Sequence, residues 1–314
     1  MSGSSQQRRQ QQCSHAFGLN LRFSTLPPGA WEQRSSVGPD VSVELVAAAT
    51  LAEAWSGRAG AGWEATIDGE AFVVEVGQAG DHLFAHGDRA QHHLSADGGV
   101  LRCVADPHEP VRWWRVVLDS VLFTVALSAG YEALHAGAVT TPGGALAITA
   151  GAGGGKSTLL AELLGRGLGL LSDDVVVLQA RGEERPLAHP GAPLMTVPSA
   201  LAPAVGRVIA AVGDEAWVGV PVNADALELG AIVVLDRRAG LSTGLHRIDA
   251  PLATLMGALL QFPKLAARER ARFELAAAIA GSTPVWRLTA APTVDPGALA
   301  DVLLADGASL TGQL

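Results

Sequence analysis

The stretch ALAITAGAGGGKSTLLAELLGRGLGLLSDDVVVL, Ala145 to Leu178, decides how the rest of the chain is read. An apolar run of strand character ends in glycines, and an amphipathic segment follows. Positions 150–157 read Ala-Gly-Ala-Gly-Gly-Gly-Lys-Ser, close to the G-x-x-x-x-G-K-[ST] pattern of a phosphate-binding loop. Such a loop needs backbone N–H groups that converge on phosphate oxygens, and so glycines that accept positive φ and close approach. Gly153, Gly154 and Gly155 meet that need, and Gly151 shares the turn. Lys156 adds a point charge for the β and γ phosphates. Ser157 offers a hydroxyl to Mg²⁺, and Thr158 continues into a helix whose N-terminal end is positive. The one departure is Ala150, at the least demanding position, where alanine adds a single methyl group. The expected ligands are ATP and Mg²⁺.

Asp173 and Asp174 come one helix and one return strand after Lys156, which places them beside the loop. One carboxylate can hold Mg²⁺, and the other is free to take a proton from an attacking hydroxyl. The competing reading is a solvated Asp-Asp turn. His135, in LHAGAV, opens the segment that leads into the loop strand. By sequence alone it is equally a buried structural histidine.

Together these features resemble the HPr kinase/phosphorylase superfamily: a histidine-containing strand, a glycine loop with Lys-Ser, a helix ending in Arg166-Gly167, a strand and an Asp-Asp pair. The likeness is specific over Leu134 to Leu178. It is looser in LAHPGAPLMTVPSAL, LGAIVVLDRR and PVWRLTA, and it looks like a divergent branch. It implies a P-loop kinase domain of the HPr-kinase-like α/β class. It also implies phosphoryl transfer from ATP with Mg²⁺ to a serine-type hydroxyl. By position, Asp173 is then the general base, Asp174 and Ser157 hold the metal, Lys156 contacts phosphate, and His135 sits near the transferred group. Divergent members of the group tailor ribosomal peptides, and other relatives phosphorylate small hydroxylated metabolites. The acceptor is therefore a peptide or protein serine, or alternatively a small metabolite. A non-catalytic nucleotide-dependent sensor is a third reading, disfavoured because a sensor does not need a free carboxylate beside the metal.

Composition bounds these readings. Of 314 residues, 48% are hydrophobic, enough for a substantial core. A net charge of -9 argues against a nucleic-acid or anionic-membrane partner, which would need a basic surface. Cys13 and Cys103 are too few and too badly spaced for a metal site or a disulfide framework, so a reducing cytoplasmic location is expected. Val116 to Leu134 is apolar, but Asp119 and Glu132 interrupt it. It reads as a buried helix rather than a membrane span. A homo-oligomer is compatible with the sequence.

The chain divides into a disordered tail (1–15), a β-rich N-terminal domain (16–110), a connecting helix (111–132) and the P-loop domain (133–314). Asp68-Gly69 and Gly87-Asp88 mark hairpins. Asp81, His82, His86, Asp88, His92 and His93 cluster in sequence, and they read as exposed hairpin positions rather than metal ligands. Arg237 and Arg238, ending a buried strand, either reach a phosphate or are solvated. Trp113 and Trp114 read as core. The cations of KLAARERARF read as a solvated helix face.

Overall fold

The structure is a computed structural model, and it describes residues 13–29, 31, 38–60, 62–67, 70–87, 90–223, 225–260 and 266–305. The N-terminal part holds β1 (Cys13–Ala16), β2 (Leu19–Phe23), β3 (Asp40–Leu45) and α1 (Ala48–Ala54). It continues with β4 (Trp63–Ile67), β5 (Glu70–Val76), β6 (His82–His86), β7 (Ala90–Leu94) and β8 (Val100–Val104). These form one sheet in the order β1-β2-β3-β8-β7-β6-β5-β4. Its apolar residues alternate as a half-buried sheet requires, with Leu19, Leu21 and Phe23 inside and Asn20 and Arg22 outside. The strand pairs β4–β5 and β6–β7 match the two expected hairpins; Asp68, Gly69 and Asp88 lie outside the described residues. Cys13, Ser14 and His15 belong to β1, not to a tail, because β1 pairs with β2 and buries Ser14 and His15.

The connecting helix is shorter than expected and is not uniform. It comprises α2 (Pro110–Val116), a π-helical turn (Val117–Val121) and α3 (Leu122–Ser128). Gly130, at φ +92, ends it; a left-handed glycine just past the last turn closes a helix by accepting a conformation that other residues resist. Glu132 then opens a strand instead of closing the helix.

The remainder begins with β9 (Glu132–His135), β10 (Gly137–Thr141), β11 (Gly144–Ala150), α4 (Lys156–Gly165), β12 (Gly169–Ser172), β13 (Val175–Arg181) and β14 (Glu184–Ala188). Next come β15 (Leu194–Pro198), α5 (Ala202–Val205), β16 (Arg207–Val212) and β17 (Glu215–Gly219), which form a separate sheet ordered β15-β17-β16. The chain continues through β18 (Leu227–Arg237), β19 (Gly244–Arg247), α6 (Leu252–Ala258), α7 (Ala266–Ser282), β20 (Val285–Ala290) and α8 (Pro296–Ala305). The larger sheet runs β12-β10-β11-β18-β14-β13-β9, with β20 beside β18 and β19 beside β20. Its centre is β18, which is parallel to both β11 and β20. The fold is mixed α/β, as its sequence texture suggests. Among the described residues no helix is long and apolar enough to cross a membrane.

The N-terminal sheet is not insulated from the rest. One apolar cluster joins Leu21, Phe72 and Phe84 of that sheet to Trp113 and Leu118 of the helix, and on to Val177, Leu194 and Trp217. Trp113 and Trp114 lie in this core, edge to face at 4.6 Å, and the Trp113 indole N–H donates to the Val104 carbonyl at 2.9 Å.

Two expectations are corrected by burial. Asp81, His86, His92 and His93 are buried rather than exposed. His93 Nε2 lies 2.9 Å from Asp81 Oδ2, and Asp81 also accepts from Ser56. Among the described residues no group of three or more His, Cys, Asp or Glu is arranged to hold a metal ion. The cations of α7 are not all solvated either. Arg268 and Arg272 are buried, and Arg268 donates two hydrogen bonds to Glu132 at 2.5 and 3.3 Å. Only a tertiary partner on β9 makes that burial tolerable.

Candidate functional site

The glycine run spans the turn between β11 and α4. Gly153 and Gly155 stand at φ +68 and +91, which glycine alone adopts without penalty. A Cβ on Gly154 would sit 2.8 Å from the Gly151 carbonyl oxygen and 2.9 Å from the Ala150 methyl; on Gly155 it would sit 3.0 Å from Arg237 Nη1. The Ala150 methyl thus packs against Gly154. A Cβ on Gly151 or Gly153 would meet nothing within 4 Å.

Lys156 opens α4 and is nearly buried. Its Nζ donates to Asp174 Oδ1 at 2.5 Å. Asp174 lies in the turn between β12 and β13 with φ +61, a conformation that non-glycine residues seldom take. His135 ends β9 opposite Val175 of β13, and its Nδ1 is 3.6 Å from Asp174 Oδ1. It is 43% exposed, so the alternative of a buried structural histidine does not hold.

Asp173 points the other way. Its Oδ2 accepts the Thr196 backbone N–H at 2.9 Å. Its Oδ1 is buried and has no hydrogen-bond partner among the described residues. An acceptor left orphaned in a fold costs free energy, which makes it a candidate for function.

The adjacent carboxylates are driven apart electrostatically. Burial pushes Asp173 up to about 6; the Thr196 N–H and Lys156 oppose this, and the Asp174 charge reinforces it. Burial would raise Asp174 too, but the Lys156 ammonium outweighs it and holds that carboxyl below its ordinary value. Burial and then Lys156 lower His135. Two neighbouring carboxyls with opposite shifts are suited to different tasks, one accepting a proton and one staying charged.

Asp173, Asp174 and Ser157 line a cavity of about 140 Å³. Its other wall comes from distant parts of the chain: Phe17 in the β1–β2 turn, Arg115 on α2, Asp119 in the π-turn, Thr196 on β15, and Glu215 and Trp217 on β17. Sequence reading missed all six. The only local signal was Asp119 itself, an acid inside an apolar helix. Burial pushes Asp119 up to about 7, with Arg115 opposing and Asp173 and Asp174 adding to the shift. Its side chain stays 33% exposed at the cavity.

The two arginines at the end of β18 divide. Arg237 backs the glycine loop, with Nη2 donating to the Pro292 and Val294 carbonyls at 2.6 and 2.7 Å. Arg238 pairs with Asp236 at the solvated strand end. Thr158 sits half-buried in the first turn of α4.

No protein-family model matches the chain, and no curated protein matches it. Among the solved structures that match is the Hpr(Ser) kinase/phosphatase from Coxiella burnetii. The match covers 57% of this chain and 99% of that one, at 17% identity and a TM-score of 0.33.

Proposed function

We propose that the chain is a kinase that moves the γ-phosphoryl group of ATP onto a hydroxyl, that of a serine in a peptide or protein. The observation that carries this reading is Asp173 Oδ1, buried and unpartnered in a cavity that also contains Ser157 and abuts the Lys156–Asp174 pair. The glycine turn, the positive end of α4 and Lys156 form a cradle for the phosphates. Ser157 and Asp174 are hard oxygen donors beside it. Mg²⁺ needs only one or two protein oxygens when phosphates complete its shell. Held by those two residues, the ion would neutralise charge on the transferring group.

The chain's own groups account for the rest. Asp173 Oδ1 accepts the proton of the acceptor hydroxyl as that oxygen bonds to the γ-phosphorus. The bond from phosphorus to the β–γ bridging oxygen breaks, and the electron pair leaves with ADP. Asp174, kept ionised, stays available to the cation. Lys156 exchanges its Asp174 partner for phosphate when nucleotide enters. His135, next to Asp174 and half-exposed, lies near the transferred group. The cytoplasm fits a chain with two cysteines, Cys13 and Cys103.

The test is phosphate transfer from γ-labelled ATP to serine peptides, followed by mass spectrometry, with the Asp173→Asn protein alongside. Wild-type transfer that the variant loses, while both bind Mg²⁺-ATP, supports a kinase. Binding without transfer to any peptide would leave a small-metabolite acceptor or a nucleotide sensor, and transfer to small hydroxylated metabolites separates those two.

A further inference from the structure

The acceptor side of the cavity is charged in a way the transfer reaction does not require. Four carboxylates line it: Asp119, Asp173, Asp174 and Glu215. Lys156 answers Asp174. Arg115 lies between Asp119 and Glu215, at 3.5 and 3.3 Å. With Asp173 reserved for the proton, the group Asp119–Arg115–Glu215 carries one excess negative charge when both carboxyls are ionised, a state that burial of Asp119 opposes and a nearby cation would favour.

The placement of Asp119 is a built feature. Val117, Leu118, Val121 and Leu122 around it are fully buried in the core. The helix changes to π geometry over Val117–Val121, a distortion that re-aims side chains and recurs at functional sites. A carboxylate carried there costs desolvation that the Arg115 pair offsets only in part. Asp173 Oδ1, buried and without a partner among the described residues, lines the same cavity and fixes where the acceptor hydroxyl sits relative to Asp119 and Glu215. Phe17 and Trp217 supply aromatic walls, which attract cations and not anions. The cavity shares Arg115, Thr196, Glu215 and Trp217 with a larger space of about 350 Å³, where the further cation Arg112 is paired with Glu70 and Glu109, so an acceptor can extend past the reacting hydroxyl.

Building on the kinase reading, we propose that the acceptor carries a positive charge a few ångströms from its hydroxyl, received by Asp119 and Glu215. The charge can belong to a basic residue flanking the serine of a peptide or to the amine of a small amino alcohol. An anionic acceptor would meet Asp119 and Glu215 and be repelled.

The experiment uses the full chain saturated with Mg²⁺ and a non-hydrolysable ATP analogue for binding, and ATP for transfer. The probes are serine peptides differing only in a flanking Lys, Gln or Glu, and amino alcohols set against uncharged diols of the same size. The Lys peptide or the amino alcohol should bind about tenfold tighter than its neutral counterpart, the scale of a close, partly buried charge pair. Asp119→Asn should erase that preference, acting on KM rather than kcat wherever transfer occurs, and Asp119→Glu should restore it. Glu215→Gln, at an exposed position, should reduce the preference without endangering the fold. Which arm responds identifies the source of the charge. Equal binding of all probes, preference for the Glu peptide, a preference that survives Asp119→Asn, or no binding at millimolar concentration overturns the proposal. Charge-selective binding without transfer would leave the cation subsite standing and remove the kinase reading instead.

Discussion

Replacing Asp173 by asparagine should stabilise the nucleotide-free protein while disabling it. In the fold this carboxyl sits at about 6 against an ordinary 3.8. The sign follows from linkage: a carboxyl raised on folding contributes stability below its unfolded value and loses it as pH rises through the folded value. At about 1.4 kcal/mol per tenfold, the full difference is about 3 kcal/mol against the wild type at pH 8. Partial access to water at the cavity reduces this to about 1–2 kcal/mol. Asparagine never ionises, and its oxygen can keep the Thr196 N–H bond. Urea unfolding of both proteins in metal-free buffer should therefore show a wild-type deficit at pH 8 that closes by pH 4. Transfer by the variant should fall about 10²- to 10⁴-fold, the usual loss on removing a general base. If the stability difference is the same at pH 4 and pH 8, Asp173 is not held high in the fold and the electrostatic argument fails. If transfer falls only a few-fold, the carboxylate is not the base.

Lys156→Ala should abolish turnover and weaken ATP binding in a folded protein, as read by nucleotide titration and circular dichroism. Asp174→Asn should raise the Mg²⁺ concentration needed for half-maximal activity, because a neutral amide is a poorer ligand for a hard cation; an Mg²⁺ titration of transfer checks it. Ala150→Gly should change nucleotide affinity by less than about tenfold, or about 1.4 kcal/mol, since the methyl packs on Gly154; calorimetric titration of both proteins decides. Glu132→Ala should cost about 3 kcal/mol in denaturant unfolding, because it leaves the buried Arg268 guanidinium without its carboxylate.

The proposed reacting centre was legible in the sequence because its parts are local. Gly151 to Thr158 form a strand–turn–helix unit in which each residue's task follows from its spacing, and Asp173 and Asp174 return to that unit after one helix and one strand. His135 was ambiguous in sequence. Only the pairing of β9 with β13 put it beside Asp174. Burial was misjudged where a polar pattern looked like a surface. His92 and His93, consecutive on β7, are buried on opposite faces of the N-terminal sheet, and Arg268 is neutralised by Glu132, 136 positions away. The far wall of the cavity lay further still from sequence reading. Phe17, Arg115, Asp119, Thr196, Glu215 and Trp217 come from two sheets and a helix, and they meet only because one apolar core joins those elements. Local periodicity reports which face of an element is buried, but not what it is buried against. The sequence by itself therefore determined the glycine turn, Lys156 and the Asp pair on which the proposed chemistry rests. The tertiary structure decided what lines the rest of the cavity, because contacts between distant residues arise from packing and leave no local pattern.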